Sequence, residues 1–408
     1  MTDTPFGATI RVLGIGGGGS NTVDRMIQFG LSGVDFIAAN TDAQALHGCS
    51  ASVKLQLGAR STRGLGAGGA PEVGERAALE SRDEITEALA GSDMVFLTAG
   101  MGGGTGTGAI PVAAEVAHSL GAVTIAVVTT PFGFEGRRRA AAGQLGIEKL
   151  RRHVDTLIVV PNDRLLHILP KDAPFEVAFH VADDVLRQGV QGIAELVTRT
   201  GMINVDFAHV RTLMRMAGGA YLAIGHGQGP NKALDAAQQA LHHPLLDLNA
   251  VDHAAGVLVH VAGGEDLALH EVRQAIVAIT EAASPEAEII FGASVDPILN
   301  GQAQVILIAT GVGGQSLDAI YPAGRLTVGS IASPTSSTAN RVAGAARTTL
   351  PASRLSSKML QSSAAKSRST SEWPGDTPDD PRTGEVCIEK HDSAFMRRRR
   401  SLLYQRNG

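Results

Sequence analysis

Two cysteines stand in 408 residues, Cys49 and Cys387, far apart in the chain. They allow no disulfide framework and no zinc spacing, and such usage fits a reducing, cytoplasmic compartment. Aromatic residues make up only 4% of the chain, so the core must be built from Ala, Val, Leu and Ile. No apolar run approaches the ~18 residues of a spanning helix, and the N-terminus has no basic–apolar–small leader pattern. Any membrane contact is therefore expected through a partner and not by direct insertion. Basic charge is not in excess: the formal net charge is −5, which argues against broad nucleic-acid binding. A Gly-x-x-x-x-Gly-Lys-Ser/Thr loop is also missing. Without a loop lysine, any bound phosphate must be met by backbone dipoles and a cation.

What the chain has in quantity is glycine, 49 residues of it, many in the first third. The densest run is Gly102-Gly103-Gly104-Thr105-Gly106-Thr107-Gly108. The apolar stretch Met94 to Leu97 before it reads as a buried strand, and Ile110, Ala113, Ala114 and Ala117 after it share one helical face. Pro111 reads as a residue of the first helical turn, where its missing N–H costs nothing. Glycines in a strand-to-helix turn let several N–H groups converge at the positive end of a helix, which makes a phosphate cradle. Thr105 and Thr107 add hydroxyls able to reach phosphate oxygens. A second such turn lies upstream. Ile10 to Ile15 reads as a strand, Gly16, Gly17, Gly18 and Gly19 follow, and Ser20 and Asn21 are cap candidates for a helix carrying Val23, Met26 and Ile27. Gly14-x-Gly16-x-x-Gly19 also satisfies the dinucleotide fingerprint, with Asp42 as its acid. A nicotinamide site has no need of the second glycine loop at 102–108. Asp42 itself has two roles open to it, an indirect contact to Mg²⁺ or a helix cap.

The run Gly-Gly-Gly-Thr-Gly-Thr-Gly, with Thr98-Ala99-Gly100-Met101 before it and Pro131-Phe132 a strand later, resembles the signature of the FtsZ family of the tubulin superfamily. The similarity extends from about Ile10 to about Gly311 and returns weakly at the C-terminus. It implies an α/β, tubulin-like fold with a Rossmann-like GTP-binding domain over 8–174, a central helix over 175–200 and a second, GTPase-activating α/β domain over 201–312. A disordered linker over 313–391 and a docking peptide over 392–408 follow. The ligands implied are GTP or GDP, with Mg²⁺. Asn40 to Leu46 matches the family's second loop, and Gly64 to Gly74, with Gly68, resembles the loop that senses the terminal phosphate; Ala70 stands where a polar residue is usual. In Pro131 to Arg139, Glu135 and Arg139 fall at the ribose positions, and Gly133 replaces a usual asparagine. Asn162 falls in the base-side loop, and Phe179 falls where the family stacks an aromatic on guanine. Asp183-Asp184 stands for Asn-Asp. A carboxylate accepts from guanine N1–H and N2–H₂, which adenine lacks.

Met202 to Val210 resembles the family's catalytic loop, which acts on the nucleotide of the next subunit. Asn204 and Asp206 are kept, and His209 replaces the second acid. Imidazole can hold or deprotonate water but lacks the carboxylate's charge, so an attenuated GTPase is expected. The alternative is a structural paralogue that binds GTP, polymerises with another filament protein and hardly hydrolyses. Residues 211–312 alternate strands and helices, and their histidines have no metal spacing. From about Gly313 to His391 the chain is rich in Ser, Thr, Ala, Pro and Arg and reads as a linker. Asp392-Ser393-Ala394-Phe395-Met396, before four arginines, resembles the family's tail peptide, with Phe395 as its apolar anchor. The resemblance implies a head-to-tail homopolymer that organises the bacterial division ring, held at mid-cell by membrane-tethering partners.

Overall fold

The computed structural model describes residues 8–167, 169, 174–198, 203, 205–216, 219–246 and 251–312. Its first half alternates strand and helix. The order is β1 (Ile10–Ile15), α1 (Gly16–Gln28), β2 (Asp35–Asn40), α2 (Ala43–Gly48), β3 (Val53–Gln56), α3 (Pro71–Glu80), α4 (Arg82–Leu89), β4 (Met94–Gly100), α5 (Thr105–Ser119), β5 (Val123–Thr130), α6 (Arg137–Leu150), β6 (Thr156–Pro161) and α7 (Asn162–Leu165). The long helix α8 (Phe175–Thr198) and the short α9 (Phe207–Met214) lead into β7 (Gly219–Gln228), α10 (Lys232–Leu241), β8 (Gly256–Gly263), α11 (Leu269–Ala282), β9 (Glu288–Val295) and β10 (Gln302–Val312). Strands β1, β4, β5 and β6 read as near-continuous apolar runs because helices cover both of their faces.

One mixed sheet runs through both halves in the order β3-β2-β1-β4-β5-β6-β7-β10-β8-β9. The first six strands are parallel. Strand β10 runs antiparallel to β7 and β8. The halves meet at β6 and β7, paired only through Leu157↔Gly219 and Ile158↔Ala220. Helix α8 spans that neck. Its Val185, Leu186, Val190 and Ile193 are buried with Ile125 and Val127 of β5 and with Leu222 and Ile306 of the second half. Each such side chain contributes about 1.5–3 kcal/mol on burial, so α8 belongs to the core of both halves. The opposite face of the first half is closed by α3, α4, α5 and α6 over Leu13, Val95, Leu97 and Val128. The division into units 8–174, 175–200 and 201–312 remains a proposal, and the segments 313–391 and 392–408 lie outside the described residues.

Three local expectations are corrected. Helix α1 opens at Gly16, so Ser20 and Asn21 sit inside it and cap nothing. Helix α5 opens at Thr105, so Pro111 lies in its second turn and forfeits one backbone bond there. The buried strand-to-helix turns set both starts, and glycine's poor helix propensity is overridden by packing. The stretch read as loop up to Gly74 becomes helix α3 at Pro71, a proline at the first helical position.

Candidate functional site

In a parallel sheet, ligands gather where the strand order reverses, outside the carboxyl ends. Here that point lies between β1 and β4: β2 and β3 continue to one side, β5 and β6 to the other. The glycine run after β1 forms the first turn of α1, and the run after β4 forms the turn into α5. The first N–H groups of both helices have no acceptor within the helix, so two positive helix ends converge on one crevice. The turns after β2, β5 and β6 deliver Asp42, Glu135 and Asn162 to the same edge.

The glycines divide into two kinds. A Cβ on Gly17, Gly68 or Gly103 would meet nothing within 4 Å, so these positions border open space. A Cβ on Gly104 would lie 2.8 Å from the Ala67 Cβ, and one on Gly106 would lie 2.7 Å from the Gly100 carbonyl oxygen. A Cβ on the buried Gly19 would lie 2.4 Å from the Thr98 carbonyl oxygen, and one on the exposed Gly18 would lie 3.2 Å from the Gly100 amide nitrogen. These residues let the loops stack on one another. Gly102 has φ +96°, and a Cβ there would also stand 2.8 Å from the Arg139 carbonyl oxygen, so only glycine fits on two counts.

Of the two threonines, Thr107 is buried, and its Oγ1 accepts from the Gly102 amide at 2.8 Å, closing the loop from within. Thr105 pairs hydroxyl to hydroxyl with Thr41 at 2.6 Å. Asp42 caps α2, its Oδ1 accepting from the Gln44 and Ala45 amides at 2.9 and 3.0 Å. Glu135 accepts from the Phe132 amide at 2.8 Å and pairs with Arg139 one helical turn on, so the two ribose candidates hold each other. Ser20 Oγ and Asn162 Oδ1 are buried without a hydrogen-bond partner, as expected of groups that await a polar ligand. Outside the loops, a cavity of about 510 Å³ is bordered by Gly68, Gly69, Gly102 and, on α6, Arg138, Arg139 and Leu145.

Near the start of α8, the Phe179 ring meets Phe132 edge-on at 5.2 Å, and Phe134 stacks on Phe132 at 4.9 Å. Asp183 and Asp184 turn different ways. Asp183 faces α1, where Arg25 Nε donates to it at 3.1 Å and Thr22 Oγ1 at 3.3 Å. Burial pushes its carboxyl up to about 6, against the pull of Arg25 and Thr22 and with a small push from Asp184. Asp184 accepts from Arg187 Nε at 2.7 Å and Gln188 Nε2 at 2.6 Å, both on its own helix. Arg25, Thr22 and Thr41 escaped the sequence reading because their importance lies in partners 158, 161 and 64 residues away. The only local signal was their position in or beside matched loops.

The catalytic candidates are not at this site. Asp206 is exposed and caps α9, accepting from the Ala208 amide at 2.9 Å. His209 is exposed on the first turn of the same helix. Asn204 lies outside the described residues. Phe179 and Thr198 stand near opposite ends of α8, and their 19-residue separation spans roughly 29 Å at 1.5 Å per residue.

Two glycine loops at the switch point of the parallel half of one continuous sheet, with a long helix packed from that half onto the mixed half, define a tubulin-like nucleotide-binding protein. The sequence matches the Tubulin/FtsZ family, GTPase domain, over residues 9–170 and the FtsZ family, C-terminal domain, over residues 218–313. An empty FtsZ dimer from M. jannaschii is 46% identical with a TM-score of 0.73, covering 75% of this chain and 89% of that one. A single-residue FtsZ variant from the same organism is 47% identical with a TM-score of 0.73, covering 76% and 92%. A GTPγS-bound protofilament of CetZ2 from Haloferax volcanii shares the fold at 20% identity and a TM-score of 0.65, covering 75% and 94%. The chain belongs to the Tubulin/FtsZ family. It is a GTP-binding cytoskeletal protein of a family that hydrolyses GTP.

Proposed function

We propose that this protein polymerises head-to-tail, hydrolyses GTP between subunits and organises the bacterial division ring from the cytoplasmic side at mid-cell. The observation that carries the reading is the separation within one chain. The phosphate cradle lies at one end of α8, and the exposed pair Asp206 and His209 lies beyond the other. The helix between Phe179 and Thr198, roughly 29 Å long, holds the two apart within one chain, but a second copy stacked on the first can bring them together. The dimer and protofilament forms of the relatives favour that stacking.

In this reading the amides of the two glycine loops hold the phosphates, Glu135 and Arg139 hold the ribose, and Asn162, Phe179, Asp183 and Asp184 hold the base. Among the described residues no trio of His, Cys, Asp or Glu forms a metal site. A Mg²⁺ ion would therefore be held chiefly by the nucleotide's own phosphates and by water, with Asp42 the carboxylate of the neighbouring turn. When bound, it would neutralise phosphate charge. Asp206 of the next subunit orients the attacking water by accepting its hydrogen bond, and His209 supplies the second contact to that water. Phe395 and the tail around it, outside the described residues, would dock on membrane-tethering division proteins. Among the described residues no helix is long and apolar enough to cross a membrane.

The test is GTP turnover per subunit against protein concentration, with sedimentation alongside. Turnover should be negligible when dilute and rise as filaments form. Flat turnover per subunit would refute the shared site. Filaments without detectable hydrolysis would favour the structural paralogue, whose motivating features are His209 in place of an acid, Ala70 in place of a polar residue and Asp183 in place of asparagine.

A further inference from the structure

Thr41 sits at the end of β2, fully buried, in none of the roles assigned above. Three contacts link it to the loops of the site. Its Oγ1 lies 2.6 Å from Thr105 Oγ1, at the first residue of α5. Its carbonyl accepts from the Gly66 amide at 3.2 Å and the Thr62 hydroxyl at 3.4 Å. Gly66 begins the glycine turn whose Ala67 and Ala70 press on Gly104, where a Cβ would stand 2.8 Å from Ala67 Cβ and 2.9 Å from the Ala70 amide. Side chain and main chain of one residue thus tie the loop at 64–70 to the loop at 102–105.

Between two hydroxyls only one donates. If Thr105 donates to Thr41, its proton is used up and it has none to offer an anion. If Thr41 donates, Thr105 accepts with a lone pair and its own proton is free to point outward. A phosphate oxygen at the start of α5 accepts only, so it selects the second arrangement, and the two bonds then polarise one another.

We infer that Thr41 is a positioning residue for phosphate: its buried hydroxyl donates to Thr105 and orients the Thr105 proton toward a nucleotide phosphate oxygen. This rests on the GTP-binding reading. Removing the Thr41 hydroxyl leaves Thr105 without its donor in a site nearly closed to water. The expected loss is about tenfold in affinity, equivalent to about 1.4 kcal/mol, for ligands that carry phosphate.

The test compares GDP with guanosine, which has the base and sugar but no phosphate, by competition on the full chain. Thr41→Val should weaken GDP about tenfold and leave guanosine unchanged. Thr41→Ser, which keeps the hydroxyl, should restore GDP binding to within twofold. Thr105→Val should lose about as much GDP affinity, and the double variant no more than either alone. Should Thr41→Val fail to fold, the Thr105→Val and Thr41→Ser results carry the decision. GDP binding unchanged in a folded hydroxyl-less variant, or equal losses for GDP and guanosine, overturns the inference. Wild-type protein that binds neither GDP nor GTP would instead overturn the nucleotide reading beneath it.

Discussion

Asp183 should make guanine-nucleotide binding sensitive to pH in a window where most carboxylates are silent. The carboxyl is mostly buried between α8 and α1, and burial outweighs Arg25 and Thr22 to bring it up to about 6 from 3.8. In the proposed role it accepts from the guanine N1–H and N2–H₂, which a protonated carboxyl does poorly. The apparent dissociation constant should therefore rise by about one power of ten per pH unit below 6, or about tenfold between pH 7.5 and 5. Stability of the nucleotide-free protein should move the other way. The folded state takes up this proton at higher pH than the unfolded chain, so the contribution of Asp183 to stability increases as pH falls from about 7 to about 4. It amounts to roughly 3 kcal/mol, because each tenfold difference in proton affinity between the folded and unfolded chain is worth about 1.4 kcal/mol. Other carboxylates and the ligand's own phosphates also titrate, so both quantities are read as wild type minus Asp183→Asn. The assays are fluorescent GDP titration and urea unfolding across pH 5–8. A variant with the same pH dependence as wild type in both would refute the argument.

Three further outcomes are expected. Thr105→Arg places a long side chain at the start of α5 and breaks the buried pair with Thr41, so GTP binding should be lost while circular dichroism remains that of the folded protein; wild-type affinity would show that this loop does not hold nucleotide. His209→Asp should speed hydrolysis about tenfold, equivalent to roughly 1.4 kcal/mol of barrier, and Asp206→Ala should suppress turnover with GTP affinity unchanged. A loss of GTP binding in dilute Asp206→Ala would contradict the assignment of Asp206 to the neighbouring subunit's site. Phe395→Ala should leave sedimentation intact and abolish recruitment to membrane-bound partners; recruitment that persists until Arg397 to Arg400 are neutralised would make the tail contact electrostatic.

The parts of the fold whose physics is local can be read residue by residue along the chain. Apolar runs at Ile10–Ile15, Met94–Leu97 and Leu157–Val160 and the glycine runs that follow two of them mark out strands and the helices after them in order. Val177, Val181, Val185, Val190 and Ile193 recur at helical spacing, as the 24-residue α8 requires. Helix starts were less legible. At Gly16 and Thr105 the chain opens a helix on residues of poor intrinsic propensity, because packing of one loop on another, as at Gly104 against Ala67, outweighs it. Which polar groups find partners is settled by the folded chain. It set Thr107 to closing its own loop, Glu135 to holding Arg139 and Asp183 to facing Arg25, while Ser20 and Asn162 keep buried oxygens without partners. It also carried Asp206 beyond the far end of α8 from the cradle. A motif states which donors and acceptors a chain possesses; their free energy depends on burial and on partners far away in sequence, which the fold alone brings together.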